Sequence, residues 1–256
     1  MRLDWLKKYN LLNFETVDST NSEALRLAKI GTIDNCVITA VQQTGGRGSK
    51  GRNWVSILGN LHISILLNIS RSLDIQRHSE LSFLAANVIY KSIKEISNKQ
   101  NIKTKIELKW PNDVLIHEKK VAGILVESIS FEKKNYVVIG MGVNLIEAPA
   151  NTAYPTTSLF DEGMMLQNTD EFLYILMNKF DRLYNQWLSD DNFTKVRSQW
   201  MKHAYNLNKV ITINDGSKRI SGLFKEIDSV GAMILQLNNG QLCRFLSGDV
   251  INYQQE

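Results

Sequence analysis

A chain of 256 residues, 43% of them hydrophobic and 22% charged, is long enough to bury a full core and suits one large domain with a small companion; its makeup is not that of a disordered chain. Thirty basic side chains against 26 acidic ones leave a net charge of +4, too mild for general coating of nucleic acid, although one basic patch can still hold an anion. Cys36 and Cys243 form neither a disulfide framework nor a CxxC pair, the N-terminus is broken by charges where a signal core would be apolar, and no apolar run is long enough to span a bilayer. The chain therefore reads as cytoplasmic, in a reducing compartment, with no membrane partner.

In chain order, "DSTNSEALRLAKIG" sets Thr20 and Glu23 at capping-box spacing, follows them with Ala24, Leu25, Leu27 and Ala28, and stops at Gly31, which predicts a short helix. The β-branched "NCVITAVQQT" predicts a strand running into a glycine-rich stretch. In "NLHISILLNI", Leu61, Ile63, Ile65, Leu67 and Ile69 alternate with His62, Ser64, Leu66 and Asn68, which predicts a strand with one face buried. "SELSFLAANVIYKSIKEISN" places Leu81, Leu84, Ala85, Val88, Ser92 and Ile96 on one stripe of a helix that packs across the sheet. From Ile106 to Leu145, the charged turns "HEKK" and "FEKKN" separate three apolar runs, an antiparallel meander. Past the polar loop "EAPANTAYPTTSLFDEG", "TDEFLYILMNKFDRLYNQWL" predicts a long amphipathic helix and "DNFTKVRSQWMKHAY" a second. From Asn208 to Tyr253, short β-rich runs broken by "NDG", "SVG" and "NNG" predict a small β-barrel. The boundary falls near residues 205–209, giving domains 1–206 and 207–256.

Four motifs carry chemistry. "QQTGGRGSKGRNW", Gln42 to Trp54, formally matches the dinucleotide fingerprint GxGxxG, but a period-two strand follows it where the fingerprint needs a helix. Walker A fails as well, because Arg52 and Asn53 follow Gly51. What survives is a strand-loop-strand element whose glycines bring backbone N–H groups close to a ligand, with positive charge from Arg47, Lys50 and Arg52 and a flat face at Trp54 for an adenine. A solvated basic hairpin tip is the competing reading. In "KWPND", Pro111 ends or bulges the strand; close behind, Lys120 stands at the mouth of the buried run "VAGIL", where it either reaches inward or is an ordinary turn lysine. Gly123 in mid-strand implies close packing against its backbone. "DSTN", Asp18 to Asn21, offers polar side chains and free helix N–H groups to a small head group, or merely caps the helix. "GMGVNL" ends a strand at Asn144. His62, His78, His117 and His203 show no metal-ligand spacing.

In this order, and followed by a small β-barrel, "DSTN", "QQTGGRGSKGRNW", "KWPND", "KKVAGILVE" and "GMGVN" resemble the biotin protein ligases, the biotin–[acetyl-CoA-carboxylase] ligases, from Phe14 to Val250. The resemblance implies an α+β fold: a mixed, largely antiparallel sheet flanked by helices, like class II synthetases, with an SH3-like C-terminal barrel. It implies biotinyl-adenylate formation from biotin and ATP with Mg2+, then transfer of biotin to a lysine of a biotin carboxyl carrier domain. A lipoate or octanoate ligase of similar architecture is the alternative. Carried over, Ser19, Thr20, Asn21 and Gln43 meet the biotin head group; Gly46, Arg47 and Gly48 fold over biotin and the adenylate phosphate; and Gly123 lines the biotin pocket. Lys120 sits between the biotin carboxylate and the α-phosphate, Arg52 faces the ATP phosphates and Trp54 the adenine. Asn112, Asp113 and Asn144 lie on the nucleotide side, with Mg2+ held mainly by ATP phosphates and one carboxylate such as Asp113. Arg47 and Lys120 are the candidate charge stabilisers, and Asp113 the candidate aid in deprotonating the acceptor lysine.

Two features depart from the family pattern. Ser49 stands where the pattern usually has a second arginine, which weakens the loop's grip unless Lys50 reaches in. Only residues 1–13 precede Phe14, too few for a helix-turn-helix reader, so the expectation is a monofunctional enzyme with no DNA partner. An exposed sheet edge suits pairing with the carrier domain or with a second copy of the chain, a homodimer. The "EAPANTAYPTTSL" loop is short of apolar anchors, and it is expected to become ordered on nucleotide binding.

Overall fold

The computed structural model describes residues 4–31, 35–69, 77–132, 134–189, 192–216 and 218–251. Seven strands form the main sheet: β1 (Asn10–Val17), β2 (Asn35–Gln43), β3 (Leu61–Ile69), β4 (Ile106–Lys109), β5 (Asp113–Ile116), β6 (Lys119–Phe131) and β7 (Lys134–Val143). Their order is β1-β2-β3-β7-β6-β5-β4, with β1 parallel to β2 and every other pair antiparallel. The edge strand β1 was not foreseen. Its burial follows no clean period of two, because an edge strand half exposed on both faces has no single apolar side to write into the sequence.

Helices cover both faces. The short α1 (Thr20–Ile30) packs on β2, β3, β6 and β7, and Ala24 and Ala28 meet Leu66, Tyr136 and Val138 beneath it. On the opposite face lie α2 (His78–Lys99), α3 (Thr169–Leu188) and α4 (Asn192–Met201), with Leu84, Val88, Phe172 and Trp200 in the larger core cluster. The α2 stripe behaves as its spacing predicts: Leu81, Leu84, Ala85, Val88, Ser92 and Ile96 are all buried. β3, however, is buried on both faces, since it lies between β2 and β7 under α1 on one side and the α2 layer on the other.

Local signals settle the element ends, with one shift. Gly31 ends α1 at φ 73°, donating its N–H to Leu27 O, as expected. The N-cap, by contrast, is Ser19, whose side chain accepts from Ser22 N; Thr20 is already helical and Glu23 pairs with Arg26, so the capping box starts one residue earlier than predicted and loses its reciprocal acid. The predicted three-run meander is four strands, because β4 ends before the cis Trp110–Pro111 bond. In the polar loop, Thr157, Ser158 and Leu159 are buried, so its second half is anchored despite its composition.

The second sheet comprises β8 (Val210–Asn214), β9 (Arg219–Ile227), β10 (Met233–Gln236), β11 (Leu242–Phe245) and β12 (Asp249–Ile251), all antiparallel, in the order β11-β10-β9-β8-β12. Among the described residues β11 and β12 do not pair, so the expected barrel is an open five-stranded sheet. It seats on the main body where Trp110 Nε1 donates to Gly231 O at 3.2 Å and Arg197 Nη1 to Ile227 O at 2.9 Å.

The α2–α3 contact holds one buried polar join: Trp187 Nε1 donates to Glu80 Oε2 at 2.7 Å, and Arg77 reaches the same carboxylate at 3.1 Å. Trp187→Phe keeps the aromatic packing and deprives a buried carboxylate of a donor. Chemical denaturation is expected to show a loss of about 1–3 kcal/mol.

Candidate active site

A solvent-open cleft lies beside the start of α1, on the α1 face of the main sheet. Its floor is bare backbone. Gly123 on β6 and Gly142 on β7 are register partners, and the indole of Trp54 lies over both. A Cβ at Gly142 would overlap the ring, and one at Gly123 would come within 3.0 Å of it. Gly123 is thus glycine because an indole covers it, the close packing its mid-strand position implied.

At one end the α1 N-terminus builds a polar wall. Thr20 donates to Gln43 Oε1 through its N–H at 2.9 Å and its hydroxyl at 3.2 Å. Ser64 Oγ lies 2.8 Å from Thr20 Oγ1 and 2.6 Å from Asn21 Oδ1, and Asn21 Nδ2 donates to Glu127 Oε2 at 2.8 Å. Ser19, Thr20 and Asn21 are nearly fully buried, and Gly140 makes room for Asn21, whose side chain any Cβ there would overlap. "DSTN" is therefore both cap and cleft wall.

The glycine-rich loop folds back on itself. Trp54 N donates to Gly46 O at 2.9 Å and Gly48 N to Arg52 O at 2.7 Å, while Arg47 and Asn53 form an isolated bridge. Gly48 lines the cleft. Gly46 does not; it lets the two arms close, since a Cβ would meet the Trp54 carbonyl at 2.5 Å. Arg47 grips Glu127 with both terminal nitrogens, at 3.0 and 2.7 Å. Arg52 binds Asp249 at 3.0 Å and Ser49 Oγ at 2.7 Å. Lys50 binds Asp249 at 2.9 Å and does not line the cleft, so it does not take the place of the arginine that Ser49 lacks.

Lys120 reaches inward, only 13% exposed, to Asp113 at 2.8 Å and the Tyr154 hydroxyl at 3.4 Å, with its amine 5.7 Å from the Trp54 ring centre and 5.0 Å from that of Tyr154. The loop after β7 clamps its backbone: Lys120 N donates to Pro155 O at 2.8 Å and Thr157 N to Lys120 O at 3.0 Å. Asn112 lines the cleft and donates to Ile124 O at 2.6 Å. Asp113 stands behind Lys120, outside the lining. Asn144 is also outside it, tying β7 to Thr157 O at 3.1 Å, and its Oδ1 is buried with no hydrogen-bond partner among the described residues.

Several cleft residues escaped the sequence reading. Glu127 follows Gly123 and Leu125 at period two on β6, a spacing that assigns it to the cleft face. Tyr154, His62 and Gly140 line the cleft, while Glu127 stands just outside the lining, joined to it through Asn21 and Arg47. Lys109, at the head of "KWPND", is held below the ordinary amine value by burial and by the charges of Lys120 and Arg52, against the pull of Asp113 and Asp249. His62 is held below the ordinary imidazole value by burial, its Nε2 lying 3.1 Å from Ser56 Oγ. Among the described residues no three His, Cys, Asp or Glu side chains cluster as a metal cage.

Polar side chains at a helix start, several cations and an aromatic plate over bare backbone form the site of an enzyme whose substrate carries both a polar head and an anion. Residues 14–144 match the Biotin/lipoate A/B protein ligase family, and residues 207–252 match the Biotin protein ligase C terminal domain. The biotin–[acetyl-CoA-carboxylase] ligase of Paracoccus denitrificans is 35% identical over 86% of this chain and 91% of its own. That of Mycobacterium tuberculosis is 28% identical over 91% and 85%. Among solved structures, the biotin protein ligase of Aquifex aeolicus in complex with biotin and ATP superposes with a TM-score of 0.77 at 26% identity, over 94% of this chain and 97% of that one. The chain belongs to the biotin protein ligase family.

Gly142→Ala drives a methyl group into the indole of Trp54. A loss of about 1–3 kcal/mol in denaturation is expected, together with a displaced Trp54 fluorescence maximum. His62 and His203 are both held below the ordinary imidazole value of 6.5 chiefly by burial, so the unfolded chain binds protons that the folded chain refuses. Their stabilisation is complete above pH 6.5 and is lost as the pH falls through that value toward their folded pKa values. The melting temperature is expected to drop below about pH 6.5, and less steeply in His62→Gln.

Proposed function

We propose that the chain activates biotin with ATP to biotinyl-5'-AMP, releasing pyrophosphate, and passes the biotinyl group to a lysine of a biotin carboxyl carrier domain, as its family and relatives suggest. The observation that carries this reading is the joining, in one cleft, of the polar wall at Ser19–Asn21 and Gln43 to the cations of Arg47 and Lys120.

Each part of the cleft then has a task. Ser19, Thr20, Asn21 and Gln43 receive the ureido ring; Thr20 and Asn21 already spend bonds on Gln43, Ser64 and Glu127, which holds them in place before the ligand arrives. Gly46 and Gly48 shape the loop over biotin and the phosphate, while Gly123 and the Trp54 above it form the floor. Attack of the biotin carboxylate on the α-phosphate brings two anions together, and the barrier is lowered by cations fixed beforehand. Lys120, clamped through its backbone and held by Asp113, fills that role with Arg47. Arg52, Asn112 and the Trp54 face serve the nucleotide, and Asn144 supports that side from outside the lining through its bond to Thr157 O.

The donor set suits Mg2+ that arrives on the ATP phosphates: Asp113 offers a carboxylate beside Lys120, and no protein cage is present among the described residues. The ion would neutralise charge on the phosphates and the departing pyrophosphate. In the second step the carrier lysine attacks the acyl carbon, AMP leaves, and Asp113 assists removal of the amine proton. The same reading divides the chain into a catalytic unit, 1–206, and a C-terminal unit, 207–256, acting in the cytoplasm; among the described residues no helix is long and apolar enough to cross a membrane.

Exchange of labelled pyrophosphate into ATP is expected to require biotin, with lipoate inactive. Mass spectrometry of a carrier domain after incubation should show one added biotinyl group. Lys120→Met is expected to lower the exchange kcat by about 100-fold or more. Exchange without biotin, or equal exchange with lipoate, overturns the reading.

A further inference from the structure

Arg47 does not project freely into the cleft. Its two terminal nitrogens lie 3.0 and 2.7 Å from the two carboxylate oxygens of Glu127, a fork-on-fork pair of the kind a guanidinium also makes with a phosphate. An incoming anion that uses Arg47 has to displace that carboxylate. We propose that Glu127 is a positioning residue of the reaction, a resident counter-ion that holds Arg47 beside the cleft and yields it to the anionic group of the substrates; the proposal rests on the functional reading above.

Three features make the pair exchangeable. The Arg47 side chain is 41% exposed and that of Glu127 24%, so water offsets much of the attraction and the pair opens at small cost. Glu127 is not stranded when Arg47 leaves, because Asn21 Nδ2 still donates to its Oε2 at 2.8 Å. Asn21 itself stays fixed, with its Oδ1 2.6 Å from Ser64 Oγ and its amide seated in the space that Gly140 leaves. A multiply charged phosphate chain outbids one carboxylate for a guanidinium, and a weak monoanion does not. The contact therefore sets a threshold of charge for capturing Arg47. It also joins the head-group wall to the loop through one side chain, since the Glu127 carboxylate touches Asn21 on one side and Arg47 on the other.

The test uses the full-length chain and two readouts: binding of inorganic pyrophosphate by calorimetry, and KM and kcat for ATP in the biotin-dependent exchange. Glu127→Gln removes the competing charge and keeps an acceptor for Asn21. It is expected to tighten pyrophosphate binding and lower KM for ATP by about two- to five-fold, the range an exposed ion pair spans, with no rise in kcat. In an Arg47→Met background the same substitution is expected to change neither. Glu127→Asp, charged but one methylene short of the fork, should fall between wild type and Glu127→Gln, and it carries the comparison if Glu127→Gln does not fold. Unchanged or weaker pyrophosphate binding in these variants, or a gain that persists without Arg47, overturns the proposal. If wild type shows no biotin-dependent exchange, the functional reading fails on its own, while the pyrophosphate arm still decides the role of Glu127.

Discussion

The cleft depends on side chains that are missing from one face of the sheet. Gly123, Gly140 and Gly142 share the face of β6 and β7 nearest α1, and two of them are direct register partners. Any Cβ at Gly140 would overlap Asn21, and any at Gly142 would overlap Trp54, so the polar wall and the aromatic plate both stand on bare backbone. A pleated sheet ordinarily fills such a face with alternating side chains. Here the lost packing is made good by elements from elsewhere in the chain: the first turn of α1 and the indole that the glycine-rich loop lays down.

That arrangement concentrates positive charge, and the fold manages it by giving four of the cations carboxylates from other elements. Arg47 has Glu127 of β6, Lys120 has Asp113 of β5, and Lys50 and Arg52 share Asp249 of β12. Lys109 has none among the described residues, and its depressed amine value registers both its burial and the repulsion of its neighbours. Pairing keeps the cations ordered without neutralising them permanently, because the carboxylates are small-number partners on side chains that water still reaches. An anion with several charges can then draw on more than one cation at a time, which no single carboxylate in the cleft can match.

How much of this was legible in the sequence varied with how local the cause was. α2 and α3 were plain, since a buried stripe at helical spacing depends only on which side of the helix faces the core. Lys120 was recognisable as unusual because it opens the buried run "VAGIL"; that it is clamped by Pro155 and Thr157 follows from a loop more than thirty residues away. Glu127 went unread although it shares a strand face with Gly123, because a glutamate near the end of a strand reads as solvated until the partner arginine is seen. The β1 edge and the burial of β3 on both faces are likewise consequences of sheet order, which no single segment encodes. Lys50 shows the limit most clearly: three basic residues in one short loop look equivalent in sequence, yet Arg47 turns to the cleft and Lys50 turns to the second sheet.

That last difference ties the C-terminal sheet to the chemistry. Asp249 is the first residue of β12, and burial alone would favour its neutral form; the bonds from Lys50 and Arg52 more than offset that cost and hold its pKa below the ordinary carboxylate value. The loop is therefore pinned at two points by two different sheets, through Arg47 to β6 and through Lys50 and Arg52 to β12. A glycine-rich segment held only at its ends would lose its order to backbone entropy. Held by exposed ion pairs at its middle as well, it keeps a defined shape and can still exchange those partners for a ligand. The second sheet thus acts on the cleft without lining it, by fixing where the loop's remaining cations stand when Arg47 changes partner.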